Sequence, residues 1–297
     1  MLRVCLLAGL VAVSGADSLA WSQTLTPQPS LRELAEIGDP QAAFDYGYDL
    51  TFPENGEPDT VTGRYWLVQS ADDGFAPANA VLGMIYRDGV GVEPDIDRAR
   101  SFFELAWQAE DSFAGLDLAD LILFEYEVER ATAIAILEQL LDDEEVGPLA
   151  GLALAETLMF DGETDTEHAR AVTLAADALD RQPGLQRAHY IIGIGAAEGF
   201  AGPVDQTAAR SAWEAGSESG DSLAMMALAD SWLDTDWGIP DPVEAYTLYS
   251  LAADLGAGDA AEAADTLADT LDDDARTEAD QRRRDWEDRL GWTATSD

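Results

Sequence analysis

One spacing governs this chain of 297 residues. An alanine followed four residues later by a large side chain, and then by Gly or Ala, recurs along most of its length. It occurs at Ala42 with Tyr46-Gly47, Ala78 with Leu82-Gly83, Ala114 with Leu118-Ala119 and Ala150 with Leu154-Ala155. It continues at Ala188 with Ile192-Gly193 and Ala224 with Leu228-Ala229, and a worn copy stands at Ala260 with Ala264. Successive alanines lie 36, 36, 36, 38, 36 and 36 residues apart. A register kept from Ala42 to Ala260 restricts the chain to stacked copies of one small unit.

A second pattern fills each interval. Its clearest copies are Asp95-Ala99-Phe102-Ala106, Asp205-Ala209-Ala212-Gly216-Ser217-Gly220 and Asp241-Ala245-Leu248-Ala252-Ala253-Gly256. The first interval carries Gly63-Trp66-Ser70-Ala71-Gly74 without the Asp. The third and fourth, around Ala133-Ile136-Leu140-Leu141 and Ala171-Leu174-Ala178-Leu179, have drifted, and Glu110, Glu144 and Gln182 stand where other copies place Gly. Apolar positions three and four apart line one stripe of a helix, so the unit is a pair of helices. The leading Asp suits an N-cap, and Gly74, Gly220 and Gly256 suit the left-handed stop at the far end. Between the two helices, Asp88-Gly89-Val90-Gly91-Val92-Glu93-Pro94 supplies turn residues. One such hairpin cannot bury its stripe alone, whereas six stacked ones can.

The stretch Ala78, Leu82-Gly83, Tyr86, Gly89-x-Gly91-Val92, Asp95, Ala99, Phe102, Ala106 resembles the Sel-one-like repeat family, relatives of the tetratricopeptide repeats. Residues 188–220 and 224–256 also look like that family, and the resemblance covers residues 30–286. It implies an all-α fold, a right-handed α/α superhelical solenoid of helix-turn-helix repeats with a period of about 36. It further implies a protein-binding scaffold of the kind often found in exported bacterial regulators. Some cysteine-rich relatives staple each repeat with a disulfide; this chain must rely on packing. The expected organisation is a secretory signal at 1–20, a linker and N-terminal capping half-repeat at 21–41, six repeats at 42–259, and a degenerate repeat with a C-terminal cap at 260–297.

The ends carry the remaining local signals. Arg3 precedes an apolar stretch from Val4 to Val13, followed by small residues at Ser14, Gly15, Ala16, Ser18 and Ala20. That arrangement reads as a cleavable export signal, and ten apolar residues are too few to span a bilayer. A periplasmic or secreted location follows, without stable membrane insertion once the signal is removed. Cys5, the sole cysteine, lies inside the signal, so the mature chain is expected to have no thiol chemistry. At the other end Arg276, Arg282, Arg283, Arg284 and Arg289 cluster around Trp286. They read as a solvated terminal helix complementing its own dipole.

Charge excludes further classes. The chain holds 59 acidic and 16 basic residues, a net charge of -43, and every base is Arg. Such a polyanion is repelled by nucleic acid and anionic lipid. Without Lys there is no Schiff base and no phosphate-loop lysine. His168 and His189 stand in different helices without metal-ligand spacing. Gly216-Ser217-Glu218-Ser219-Gly220 puts Ser at the wrong places for a nucleophile elbow. The acidic loop Asp161-Gly162-Glu163-Thr164-Asp165 departs from the twelve-residue calcium pattern. No catalytic residue, metal site or cofactor site is therefore assigned, and an enzyme is not expected. Two other readings stand beside the scaffold: a cell-wall-active hydrolase or β-lactam-binding protein, and a cation-responsive acidic module.

If the apolar stripe of each first helix is its core side, positions about 160° round the helix line the concave face. These are Phe44, Tyr48 and Thr51; Ala80, Met84 and Arg87; Leu116, Asp120 and Leu123. The later repeats give Leu152, Glu156 and Met159; Tyr190, Ile194 and Ala197; Met226, Asp230 and Leu233. A merely solvated face in so acidic a chain should read Asp, Glu, Ser and Thr. This one is largely aromatic, Leu and Met, which marks a binding surface. The alternative is that superhelical twist buries the ladder inside the array. A bound partner would be a protein or peptide with apolar anchors, and with basic residues beside Asp120, Glu156 and Asp230.

Overall fold

The computed structural model describes residues 29–292. The export signal, Cys5, the start of the linker and the last five residues lie outside them. The described residues form fifteen α-helices and no strand. A short α1 (Leu31–Glu36) precedes α2 (Pro40–Thr51) and α3 (Thr60–Asp72). The next pairs are α4 (Pro77–Asp88) with α5 (Ile96–Gln108), α6 (Ser112–Glu125) with α7 (Arg130–Leu140), and α8 (Gly147–Phe160) with α9 (Asp165–Arg181). Then follow α10 (Arg187–Glu198) with α11 (Gln206–Glu218), α12 (Ser222–Leu233) with α13 (Pro242–Asp254), and α14 (Gly258–Ala268) with α15 (Asp273–Arg289). Single 3₁₀ turns at Glu127–Glu129 and Thr235–Trp237 lengthen two of the connections. Each helix from α1 to α14 packs on its chain neighbours, and α15 packs back on α13, which gives a helix-turn-helix solenoid.

Local chemistry sets the helix starts. Asp95, Asp205 and Asp241 cap α5, α11 and α13, each accepting the N–H three residues on at 2.9–3.0 Å. Asp39, Asp111 and Asp221 do the same for the first helices α2, α6 and α12 at 2.8–3.0 Å. Each cap is worth about 1 kcal/mol, so part of the acid excess is helix-starting chemistry. In the loop Asp161–Asp165, Glu167 reaches back to Thr164 and completes a capping box for α9.

Packing explains the small residue that follows each apolar one. A Cβ on Gly83 would stand 2.5 Å from the Phe103 ring, and one on Gly193 only 2.1 Å from Trp213 Nε1. The second helix thus lays a large side chain directly over the first helix's backbone. The recurring alanines Ala78, Ala114, Ala150, Ala188, Ala224 and Ala260 are all fully buried. Ala114, Ala150 and Ala188 belong to a core section drawn from residues 99–191, and Ala260 to a second drawn from residues 209–286.

One repeat breaks the stop signal. Gly74, Gly220 and Gly256 close their helices at φ near +90°, as expected, but Glu110 takes the same role at φ +64°. A side chain there carries a steric cost that glycine avoids. Glu110→Gly is expected to stabilise the chain by about 1 kcal/mol in urea unfolding. A loss of stability would show that the Glu110 side chain outweighs its backbone cost.

Three arginines of α15 reach carboxylates of neighbouring helices, whereas Arg276 and Arg284 stay exposed. Arg282 bridges to Asp241 at 2.7 Å and Glu244 at 3.0 Å, both of the α13 repeat. Arg283 pairs with Asp254 and Glu287, and Arg289 with Glu214 at 3.2 Å and Glu218 at 3.3 Å. The solvated-helix reading misses these three side chains, which cross to α11 and α13 and clamp the final helix onto the array.

Candidate functional site

Successive first helices α6, α8, α10 and α12 touch one another directly, whereas among successive second helices only the terminal pair α13 and α15 packs this way. Elements that close up lie on the shorter arc, so the first helices line the concave side. Their groove-facing residues are in the main half-covered. Phe44, Met84, Arg87, Leu116, Leu123, Leu152, Glu156, Tyr190, Ile194, Met226 and Leu233 are all intermediate, while Tyr48, Asp120 and Asp230 are exposed. Ala80 and Ala197 share the intermediate class. The ladder is neither fully solvated nor sealed inside the array.

Two positions depart from the ladder. Met159 is 7% exposed and packs in the central core, and Thr51 is 3% exposed with its hydroxyl donating to the Gly47 carbonyl at 2.8 Å. Both lie in the last turn of their helices. At Thr51 the cover comes from α3, where Gly63 lies against its hydroxyl.

The groove is articulated rather than smooth. Phe44 packs against Tyr48 and Phe75 with centroids 5.9 and 5.1 Å away, and Tyr48 against Phe52 at 5.2 Å, forming an aromatic entrance. Further along, a cleft of about 460 Å³ opens between Arg87, Ile96, Asp117, Asp120, Leu123 and Phe124. A recess of about 300 Å³ lies at Tyr190, Ile194, Met226's neighbour Ala227, Asp230 and Trp237.

The Sel1 repeat family matches residues 40–75, 76–109 and 222–256. The chain carries three Sel1 repeats. Its fold is shared with a protective antigen of uropathogenic Escherichia coli that displays an SLR fold. The two agree with a TM-score of 0.73 at 19% identity, over 90% of this chain and 58% of that one. A Sel1 repeat protein from Oxalobacter formigenes agrees with a TM-score of 0.58 at 20% identity, over 74% of this chain and 89% of that one. The Sel1-repeat chain thus spans little more than half the length of the E. coli protein. No curated protein sequence matches it. Sel1 repeats commonly mediate protein–protein interaction. Among the described residues no helix is long and apolar enough to cross a membrane.

Charges along the groove of this Sel1-repeat chain are paired at most points. Arg87 holds Asp117 at 2.6 Å and Asp88 at 2.7 Å. Arg187 holds Asp221 at 2.7 Å, stands 3.8 Å from Glu156, and lies over the Tyr190 ring at 6.0 Å. Asp230 accepts the Tyr249 hydroxyl. Asp117, Arg187, Asp221 and Tyr249 were not singled out in the sequence. Asp221 was nonetheless readable there as the cap three residues before Ala224.

Asp120 alone of the three ladder acids has no direct partner. It still touches water, but groove walls displace much of the bulk solvent around it. That burial, with Asp117 adding repulsion, raises its pKa from 3.8 to about 6 against the pull of Arg87. Burial likewise raises Glu156, where Asp221 and Asp120 repel and Arg187 attracts. The folded-state pKa of Asp120 lies above its unfolded value, so the charged form opposes folding above about pH 6. That opposition fades as pH falls toward 3.8. Asp120→Asn is expected to raise the Tm at about pH 8 and to leave it unchanged at about pH 4. Equal shifts at both pH values would show that the gain is not electrostatic.

Proposed function

We propose that this chain is an exported, non-enzymatic Sel1-repeat scaffold that holds a protein or peptide partner in its concave groove. Its role would be regulatory or adaptor in the bacterial envelope. One observation carries the reading: a half-covered apolar ladder runs along the side where the first helices converge, with Asp120 uncompensated on it. Residues such as Met84, Leu116, Leu123, Leu152, Ile194 and Met226 are poor choices for a solvated face and good ones for an adaptable contact surface. A partner with apolar anchors and a basic residue fits both properties. Such a segment, extended or helical, would meet the ladder with its anchors and Asp120 with its charge. The export signal read at 1–20 supports an encounter outside the cytoplasm.

Met84→Asp combined with Leu123→Asp tests this directly, Met159 being left alone because it is core. Tagged wild type and variant would recover partners from an envelope extract, with an outer-face variant such as Thr173→Asp as control. The groove variant is expected to lose its partner by at least about tenfold while the control keeps it. Full recovery by a folded groove variant would sink the assignment.

A further inference from the structure

Arginine is scarce here, and most of it is bound to carboxylates. Arg210 on α11 is not: burial weakens its hold on the proton, and no carboxylate offsets that effect. Its guanidinium is nevertheless fixed in place. One face lies 4.0 Å from the Trp232 ring centroid, and Trp237 is 5.5 Å away. Nε donates to Ser231 Oγ at 3.0 Å and Nη2 to the Ser231 carbonyl, while Nη1 has no hydrogen-bond partner among the described residues.

This rigid cation borders a cavity of about 320 Å³, on the side of α12 that carries Leu228 and Trp232 rather than the groove ladder. Trp232, Trp237 and Trp286 supply aromatic walls, and Gln206, Thr207 and Ser211 supply polar atoms. Two acids also border it, but both are already engaged. Glu244 accepts from Arg282 at 3.0 Å and from Trp286 Nε1 at 2.9 Å, and Glu214 accepts from Arg289 at 3.2 Å. Arg210 is therefore the uncompensated charge of the site.

We propose that this cavity binds a small carboxylate carried on a flat-faced ring. A preorganised guanidinium with a free Nη1 matches a carboxylate geometrically and loses little freedom in binding it. The indole faces suit the flat apolar side of a ring, whether aromatic or a pyranose. The volume sits at the small end of ligand sites, which points to one compact molecule rather than a chain. The site lies apart from the groove, and Trp237 borders both.

The test is a titration of the whole protein, at salt high enough to screen its net charge, following the indole N–H signals of Trp232 and Trp237. Benzoate and glucuronate serve as probes for the aromatic and sugar forms, with benzyl alcohol and methyl glucoside as uncharged counterparts. At least one acid is expected to shift both signals saturably, at least about tenfold more tightly than its neutral counterpart. Arg210→Gln should weaken that binding by at least about tenfold. Ser211→Phe, which fills the cavity from an exposed position and leaves Arg210 in place, should abolish it even if Arg210→Gln fails to fold. The proposal is overturned if neither acid gives a saturable shift, if acid and neutral probe bind alike, or if the folded variants bind as wild type does.

Discussion

Trp286→Ala is expected to destabilise the C-terminal end by about 3–5 kcal/mol, the range for deleting a buried large aromatic side chain. Trp286 is 2% exposed although it lies in a helix whose composition is mostly charged. It packs into the same core section as Leu248, Tyr249, Leu251, Ala260 and Ala264. Its indole N–H donates to Glu244 at 2.9 Å, and Arg289 covers its ring at 3.5 Å. Removing it opens a cavity and loosens both charged partners at once. A solenoid is held by nearest-neighbour interfaces, so the damage should stay local. Hydrogen exchange should accelerate in α13 to α15 and remain as in wild type in α4 and α5. Uniform acceleration across all repeats would contradict a quasi-one-dimensional array.

That helix also shows where sequence reading stops. Within a repeat, contacts are set by residues at fixed short offsets, and these were visible. The buried alanines, the apolar residues after them and the Asp caps of α5, α11 and α13 all recur in register. Between repeats, contacts depend on how each hairpin rotates against the next, which no single helical period encodes. The inward course of Arg282, Arg283 and Arg289 is of this second kind, since each reaches a partner 29 to 75 residues away. So is the pairing of Arg187 with Asp221, 34 residues apart. The Arg210 cavity is the clearest case. Its walls come from α11, α12, a 3₁₀ turn, α13 and α15, and no spacing in the sequence joins them. The groove ladder stood between these limits. Its helix face followed from the period, but its degree of burial followed from the superhelix.

Gly63→Val is expected to cost about 3 kcal/mol, because here the obstacles include backbone atoms that cannot swing aside. A Cβ at Gly63 would meet the Gly47 carbonyl oxygen at 2.7 Å, Thr51 N at 2.9 Å and Thr51 Oγ1 at 2.2 Å. Seen from the other helix, a Cβ at Gly47 would meet the Gly63 oxygen at 2.8 Å and Leu67 N at 2.9 Å. The helices α2 and α3 therefore cross at a glycine pair, and a larger residue must push them apart. Separation would open the aromatic entrance at Phe44, Tyr48 and Phe75, so the end of the groove should loosen together with the fold. Gly151 supplies the internal comparison. It is also buried in a first helix, yet its nearest neighbours would lie at 3.7–3.9 Å from a new Cβ. Gly151→Ala should therefore stabilise by about 0.5–1 kcal/mol through helix propensity alone. Guanidinium unfolding of the two variants should move the midpoint in opposite directions. If both move down, interior glycines would be serving flexibility throughout the array; opposite signs would tie their role to close approach at particular crossings.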